Sequence, residues 1–274
     1  MTAHQAPRVA VIGGGQLARM LAEPAIALGV PLRLLAEAEG VSAAQVIPDH
    51  QVGDHRDLPT LRALTDGCAV VTFDHEHVPT EHLHALEEAG VPCRPGPAAL
   101  VHAQDKAVMR AAMDRLGAPQ PRWAVVSSPA DIEAFGLPCV LKVARGGYDG
   151  RGVWVARTLD DIAEPLADAG RRGVRLLAEE LITFRRELSA LIARAPSGEE
   201  VAYPVVATTQ LDGICHEVIA PAPDLPAERA AEAQQLAQRI ASELDVTGIL
   251  AVELFEADDG RVLVNELAMR PHNT

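Results

Sequence analysis

Two glutamates near the C-terminal end, Glu253 in GILAVELFEA and Glu266 in VLVNELA, interrupt runs that are otherwise apolar. If Ala257 to Gly260 forms a four-residue turn, the runs pair as a hairpin with Glu253 opposite Val264 and Ala251 opposite Glu266. The two carboxylates then share a face at diagonal positions, with backbones about 7–8 Å apart. Asn265 points to the other face in that register, unless a bulge turns it. Carboxylates converging from an apolar sheet repel each other, and a cation between them removes that cost. Magnesium takes such oxygen ligands alongside phosphate. A one-residue slip would separate the pair. The alternative is two glutamates on an exposed face, which the apolar run around Glu253 disfavours.

A second group is Lys142, inside the apolar run VLKVAR, followed by GGYDGRG at residues 146–152. Four glycines in seven residues suit neither helix nor strand. Lys142 either snorkels to solvent or forms a phosphate clamp, with backbone N–H groups cradling oxygens and the lysine supplying a point charge. The spacing does not fit a GxxxxGK[ST] loop. Lys106, within Gln104-Asp105-Lys106, reads as a solvated helix residue or a second phosphate contact, and its context alone favours the first. A lysine clamp joined to a carboxylate pair implies ATP chemistry; NAD needs no magnesium site.

Two further clusters lie in the first hundred residues. Gly13-x-Gly15-x-x-Ala18 between a strand and a helix, with Glu37 ending the next strand, has the form of a dinucleotide fingerprint. It is equally a tight turn that binds nothing. Asp74-His75-Glu76-His77 follows a strand, where open sheets bind ligands. His75 and His77 could share a metal, but substrate contact by Glu76 is the preferred reading.

The elements that must carry these groups follow from the hydrophobic pattern. Arg8 to Ile12, Pro31 to Leu35 and Ala69 to Phe73 read as strands alternating with helices, one with Leu17, Met20, Leu21 and Ile26 on a face. That alternation predicts a parallel sheet covered by helices. PCRPGP at 92–97 marks a domain edge. One helix is expected over 98–116. Beyond it, Trp123 to Val126, Cys139 to Val143, Gly152 to Ala156, Leu176 to Glu180 and Glu187 to Ala193 read as strands. An amphipathic helix over 227–244 buries Ala233, Leu236, Ala237, Ile240 and Leu244. The expected architecture is α/β. A Rossmann-like parallel-sheet domain over residues 1–100 precedes an α+β domain over 101–274, in two lobes of about 101–175 and 176–274.

The 274 residues, 48% hydrophobic and 23% charged, describe a globular protein with a sizeable core. The net charge of −14 argues against nucleic acid as a partner. No apolar run reaches the ~18 residues of a membrane span, and a strand begins too early to leave room for a signal peptide. Four scattered cysteines read as reduced thiols in a cytoplasmic protein. The last residues, Arg270 to Thr274, read as an unfinished loop of a truncated chain.

GGGQLARM, VTFDHEHVP, LKVARGGYDGRG, AEELITFRREL and NELAMRPHN together resemble the ATP-grasp superfamily, and within it the carboxyaminoimidazole ribonucleotide synthase family. The resemblance runs through essentially the whole chain. It implies a ligase joining bicarbonate to aminoimidazole ribonucleotide, with ATP and Mg2+, via carboxyphosphate, in purine biosynthesis. It implies that Lys106 and Lys142 contact ATP phosphates, that Glu179 with the backbone of Glu180, Leu181 and Ile182 holds adenine, and that Glu187 binds ribose. Glu253 and Glu266 would hold magnesium, assisted by Asn265. Gly15, Gln16, Glu76, Tyr148, Asp149, Arg151, His272 and Asn273 would line the ribonucleotide and bicarbonate end, and a homodimer is implied. Met269 stands where relatives usually have proline, an expected loosening of the loop after Glu266. Relatives continue into a smaller C-terminal domain that this chain lacks. The rival readings are another ATP-grasp ligase, an NAD-dependent oxidoreductase and a nucleotide-binding fragment without turnover.

Overall fold

The computed structural model describes residues 6–147, 150–211 and 213–274. Val9–Ile12 (β1) leads through Gly13-Gly14-Gly15 into Gln16–Leu28 (α1), and Gly29 closes that helix at φ 66°. Leu32–Ala36 (β2), His50–Val52 (β3), Leu58–Thr65 (α2), Val70–Phe73 (β4) and Thr80–Glu88 (α3) follow. The four strands form a parallel sheet in the order β3-β2-β1-β4. Ala10, Val11 and Ile12 of β1 are fully buried because both faces of the sheet are covered. One face packs on α1 through Val11, Ala18 and Ala22, the other on α2 and α3 through Ile12, Leu61 and Leu83. The C-terminal edge of this sheet therefore presents three loops together: the glycine turn, Glu37 and Asp74–His77.

The helix expected over 98–116 is two helices, Pro97–Gln104 (α4) and Lys106–Leu116 (α5), broken at Asp105. Asp105 is extended, at φ −134° and ψ 107°, and its carboxylate accepts the N–H groups of Ala107 and Val108 at 3.0 and 3.2 Å. An aspartate capping two orphan donors outcompetes helix continuation. Lys106 thereby becomes the first residue of a helix rather than a solvated residue inside one.

Trp123–Val126 (β5), Pro129–Phe135 (α6), Cys139–Val143 (β6), Val153–Ala156 (β7), Ala163–Arg172 (α7) and Leu176–Glu180 (β8) build a small sheet, antiparallel throughout, in the order β5-β8-β6-β7. β8, which follows residue 175, completes this sheet rather than the next one. Phe184–Arg194 (β9), Glu200–Ala202 (β10), Val206–Leu211 (β11), Ile214–Ile219 (β12), Ala227–Glu243 (α8), Gly248–Ala257 (β13) and Val262–Ala268 (β14) form the larger unit. Its sheet runs β12-β11-β9-β13-β14, with β10 added on β9. α8 buries Ala233, Leu236, Ala237 and Ile240 against it, and Leu244 caps the helix half-exposed. β3, β10, β11 and β12 were not among the strands read from the pattern. β3 and β10 have three residues each, and β11 and β12 bury few side chains, so the apolar signal is weak.

The β13–β14 hairpin differs from the expected register. Ala251 faces Ala268 and Glu253 faces Glu266 directly, whereas beyond a bulge Leu254 faces Val264. Asn265 is the extra residue. The bulge turns its side chain toward the same cleft as the two glutamates.

Candidate active site

Between the two antiparallel sheets and the C-terminal edge of the parallel sheet lies a cleft of about 750 Å³. Gln16, Glu76, Lys106, Lys142, Glu179, Glu180, Leu181, Ile182, Glu187, Glu253, Asn265, Glu266, His272 and Asn273 all line it. Gly15 and Arg151 are not in its walls, and Tyr148 and Asp149 lie outside the described residues. Part of the wall is apolar: Val140, Val153, Val155, Ile182, Phe184, Phe255 and Leu267. Such a slot suits a flat heterocycle.

Lys142 projects from β6 and does not snorkel freely. Its Nζ lies 2.8 Å from Glu179 Oε2 and donates to Asn265 Oδ1 at 3.1 Å. The carboxylate of Glu179, only 2% exposed, also receives both Nε and Nη2 of Arg110, at 2.8 and 2.9 Å. Burial pushes its carboxyl up, but Lys142 and Arg110 outweigh that and hold it at about 2. Both Glu179 oxygens are thus engaged by chain cations. Glu179 acts on Lys142 rather than presenting a free carboxylate to an adenine ring. Arg110 was missed from the sequence because it looks like any arginine on a helix.

Across the cleft, the glutamates of β13 and β14 are each met by a cationic or ionisable group. Lys106 Nζ forms an ion pair with Glu266. Lys106 is 8% exposed, so it is no solvated surface lysine. Burial opposes ionisation of Glu266, while Lys106 and then Lys142 hold its carboxyl below the usual range. His272 Nε2 lies 3.2 Å from Glu253 Oε1, and its Nδ1 lies 2.8 Å from Thr274 Oγ1. Glu187, on the neighbouring strand, is pushed up to about 6 by burial and then by Glu253. Like charges directly opposite on adjacent strands destabilise a sheet. Two cross-strand carboxylates and the Asn265 amide oxygen supply hard oxygen donors, which fit magnesium. Among the described residues no three acidic, histidine or cysteine side chains converge as a metal cage. Magnesium accepts few protein ligands and fills its remaining positions with water and phosphate oxygens.

The glycine turn is filled by the protein itself. Gly14 N–H donates to both oxygens of Glu37, at 3.2 and 3.0 Å. Gly15 N–H and Ala18 N–H, the donors at the start of α1, go to Asp74 at 2.6 and 2.9 Å. A Cβ on Gly13 would meet Asp74 and His75 at 2.8 Å, and one on Gly14 would meet Val41 at 2.5 Å. The glycines are needed for close packing of the chain's own side chains. The helix N-terminus that would hold a pyrophosphate in a dinucleotide fold already holds a carboxylate. For the same reason Gly15 is not a cleft contact.

His75 and His77 stack with centroids 5.2 Å apart, rather than aiming at one point. Burial, then His55 and His77, push His75 down to about 3. Glu76 reaches into the cleft but is engaged there: Oε1 accepts from Met269 N–H at 3.0 Å and Oε2 from Arg270 Nε at 3.1 Å. Met269 is fully buried, so the segment after Glu266 is tied to the N-terminal domain, not loosened. Gln16 Nε2 donates to Asn273 Oδ1 at 2.9 Å and adds a second tie.

Residues 111–274 match the ATP-grasp domain family, and residues 7–104 match the ribonucleotide synthetase preATP-grasp domain family. The chain is 52% identical to the N5-carboxyaminoimidazole ribonucleotide synthase of Mycobacterium tuberculosis strain H37Rv, over 100% of this chain and 65% of that protein. It thus spans about two-thirds of the length of that relative. The Aspergillus clavatus carboxyaminoimidazole ribonucleotide synthase complexed with ATP superposes with a TM-score of 0.91, at 32% identity, covering 98% of this chain and 71% of that one. The same fungal enzyme in complex with ADP and 5-aminoimidazole ribonucleotide superposes at 0.89, with 31% identity and the same coverage. The pairing of a parallel-sheet domain with two antiparallel sheets is accordingly inherited architecture: the chain belongs to the ATP-grasp superfamily and, within it, to the carboxyaminoimidazole ribonucleotide synthase family.

Proposed function

We propose that the chain binds ATP with magnesium and drives the joining of bicarbonate to the exocyclic amine of 5-aminoimidazole ribonucleotide. One observation carries this reading: Lys106, Lys142, Asn265, Glu253 and Glu266 come from four separate elements yet line one cleft with an apolar slot beside them. In the proposed pose adenine occupies the slot, with Glu180 to Ile182 along its edge and Glu187 accepting from the ribose. Lys142, oriented by Glu179, meets phosphate oxygens. Glu253, Glu266 and Asn265 would hold the magnesium, and Lys106, now paired with Glu266, would then be free to meet the phosphates. Bound there, the metal would neutralise charge on the phosphoryl group in transit. A bicarbonate oxygen attacks the γ-phosphorus and ADP departs. The amine then takes the carboxyl group of carboxyphosphate, and phosphate leaves. Gln16, His272 and Asn273 line the end where the ribonucleotide would lie, and Tyr148, Asp149 and Arg151 of the glycine-rich sequence are proposed to serve the ribonucleotide and bicarbonate. Water must be kept from the labile intermediate for the transfer to succeed.

Isothermal titration with magnesium-ADP, and separately with NAD, tests the nucleotide. Magnesium-ADP should bind, and Lys142→Ala should weaken it at least about tenfold, or ~1.4 kcal/mol. Binding of NAD alone would overturn the reading. ADP release stimulated only by bicarbonate and aminoimidazole ribonucleotide together tests the substrate pair. Stimulation by a different acid would indicate another ATP-grasp ligase. The implied homodimer is tested by sedimentation equilibrium.

A further inference from the structure

Arg110 on α5 lies outside the cleft wall and is fully buried. A buried guanidinium is tolerated only where its donors are satisfied. All five are. Nε and Nη2 hold the two oxygens of Glu179 at 2.8 and 2.9 Å, and Nη2 also donates to the carbonyl of Asn265 at 2.8 Å. Nη1 donates to the carbonyl of Val264 at 2.7 Å and to Gln120 Oε1 at 3.3 Å. Val264 and Asn265 are the residues at the bulge of β14, and β14 is the edge strand of its sheet. Val264 N–H goes to Pro119 O at 2.8 Å. Arg110 and Pro119 therefore take the place of a missing neighbour strand where the ladder is broken.

We infer that Arg110 is a positioning residue. From behind the cleft it fixes the bulge that turns Asn265 and Glu266 toward the proposed metal. Through Glu179 it also sets Lys142 on the opposite wall. One guanidinium thereby couples the two sides of the nucleotide site. Lys106, one helical turn earlier on α5, pairs with Glu266 from the front. This rests on the ATP-binding reading proposed above.

The test is the ratio of ADP affinities with and without magnesium, measured by titration calorimetry on the whole chain. In Arg110→Lys the ammonium keeps a charge beside Glu179 but cannot hold two carbonyls as well. The expected result is a loss of at least about tenfold in the magnesium enhancement, larger than the loss in metal-free affinity. Glu179→Gln leaves the guanidinium on both bulge carbonyls. It should weaken metal-free ADP while keeping the magnesium enhancement, and it serves if Arg110→Lys does not fold. A general packing role would lower both affinities in step. An unchanged ratio in folded Arg110→Lys, or a lost enhancement in Glu179→Gln, would overturn the inference. Failure of the wild-type chain to bind ADP at all would instead remove the ATP-binding reading on which it stands.

Discussion

Glu179 has two buried cationic neighbours and little contact with water, which makes its charge costly to lose. Glu179→Ala leaves Arg110 buried without its counter-ion and should destabilise the chain by about 3–5 kcal/mol at pH 7 in urea denaturation. The pH dependence has a definite sign. Its folded-state carboxyl sits at about 2, against an ordinary 4.5. A depressed carboxyl contributes stability that is complete above the unfolded value and is lost as pH falls through the folded one. The gap between wild type and variant should therefore be constant above pH 4.5 and close toward pH 2; a gap independent of pH would show that the charge is not the cause. Glu187 runs the other way. Its carboxyl is raised from 4.5 to about 6, so the native state binds more protons than the unfolded state in that window. Stability contributed by Glu187 falls as pH rises from 4.5 to 6. Glu187→Gln should raise the melting temperature at pH 7.5 and lose that advantage below pH 4.5, as read by thermal denaturation across pH.

At the scale of elements, the break at Asp105 matters most. One carboxylate caps α5 and also receives Arg145, between β6 and the glycine-rich loop, and Arg175, just before β8, each at 2.8 Å. The cap alone is worth about 0.5–2 kcal/mol. Asp105→Ala should lower stability by at least that much and let the first turn of α5 fray, which hydrogen exchange at Ala107 and Val108 would register. If those amides exchange as slowly as before, the cap is not what orders Lys106. The stem of the glycine-rich loop is held separately. Arg172 on α7 donates to the carbonyls of Arg145 and Gly146 at 3.1 and 2.8 Å. It occupies space that side chains at Gly146 and Gly152, with φ of 68° and 74°, would fill.

Across the whole molecule, the N-terminal domain reaches the cleft through Glu76 and Gln16. Both Glu76 oxygens are bound to the segment that follows β14, one of them to the N–H of Met269. A proline at 269 could not donate that bond. Glu76→Ala should free residues 269–273 from the parallel-sheet domain. Exchange of the Met269 amide should rise at least about tenfold, equivalent to ~1.4 kcal/mol of lost protection, with β1 and α1 unchanged. If Met269 stays protected, burial of its side chain rather than Glu76 holds the segment.

The sequence by itself determined the two-part architecture, three of the four strands of the parallel domain and the residues worth watching. Strand-and-helix periodicity is local, and a lysine or glutamate inside an apolar run is conspicuous without any coordinates. It also suggested a dinucleotide fingerprint, because glycine spacing does not say what fills the space the glycines leave. Only the tertiary structure decided that Glu37 and Asp74 fill it. It alone decided that Glu253 faces Glu266: Ala257 pairs with Arg261, so the turn is one residue tighter than the expected four, and the bulge shifts the register by one more, a shift that depends on what lies beside the edge strand. There it is Arg110, 154 residues from Val264 in sequence. Contacts over such separations are set by packing and by the need to satisfy every buried donor, which no short stretch of sequence records.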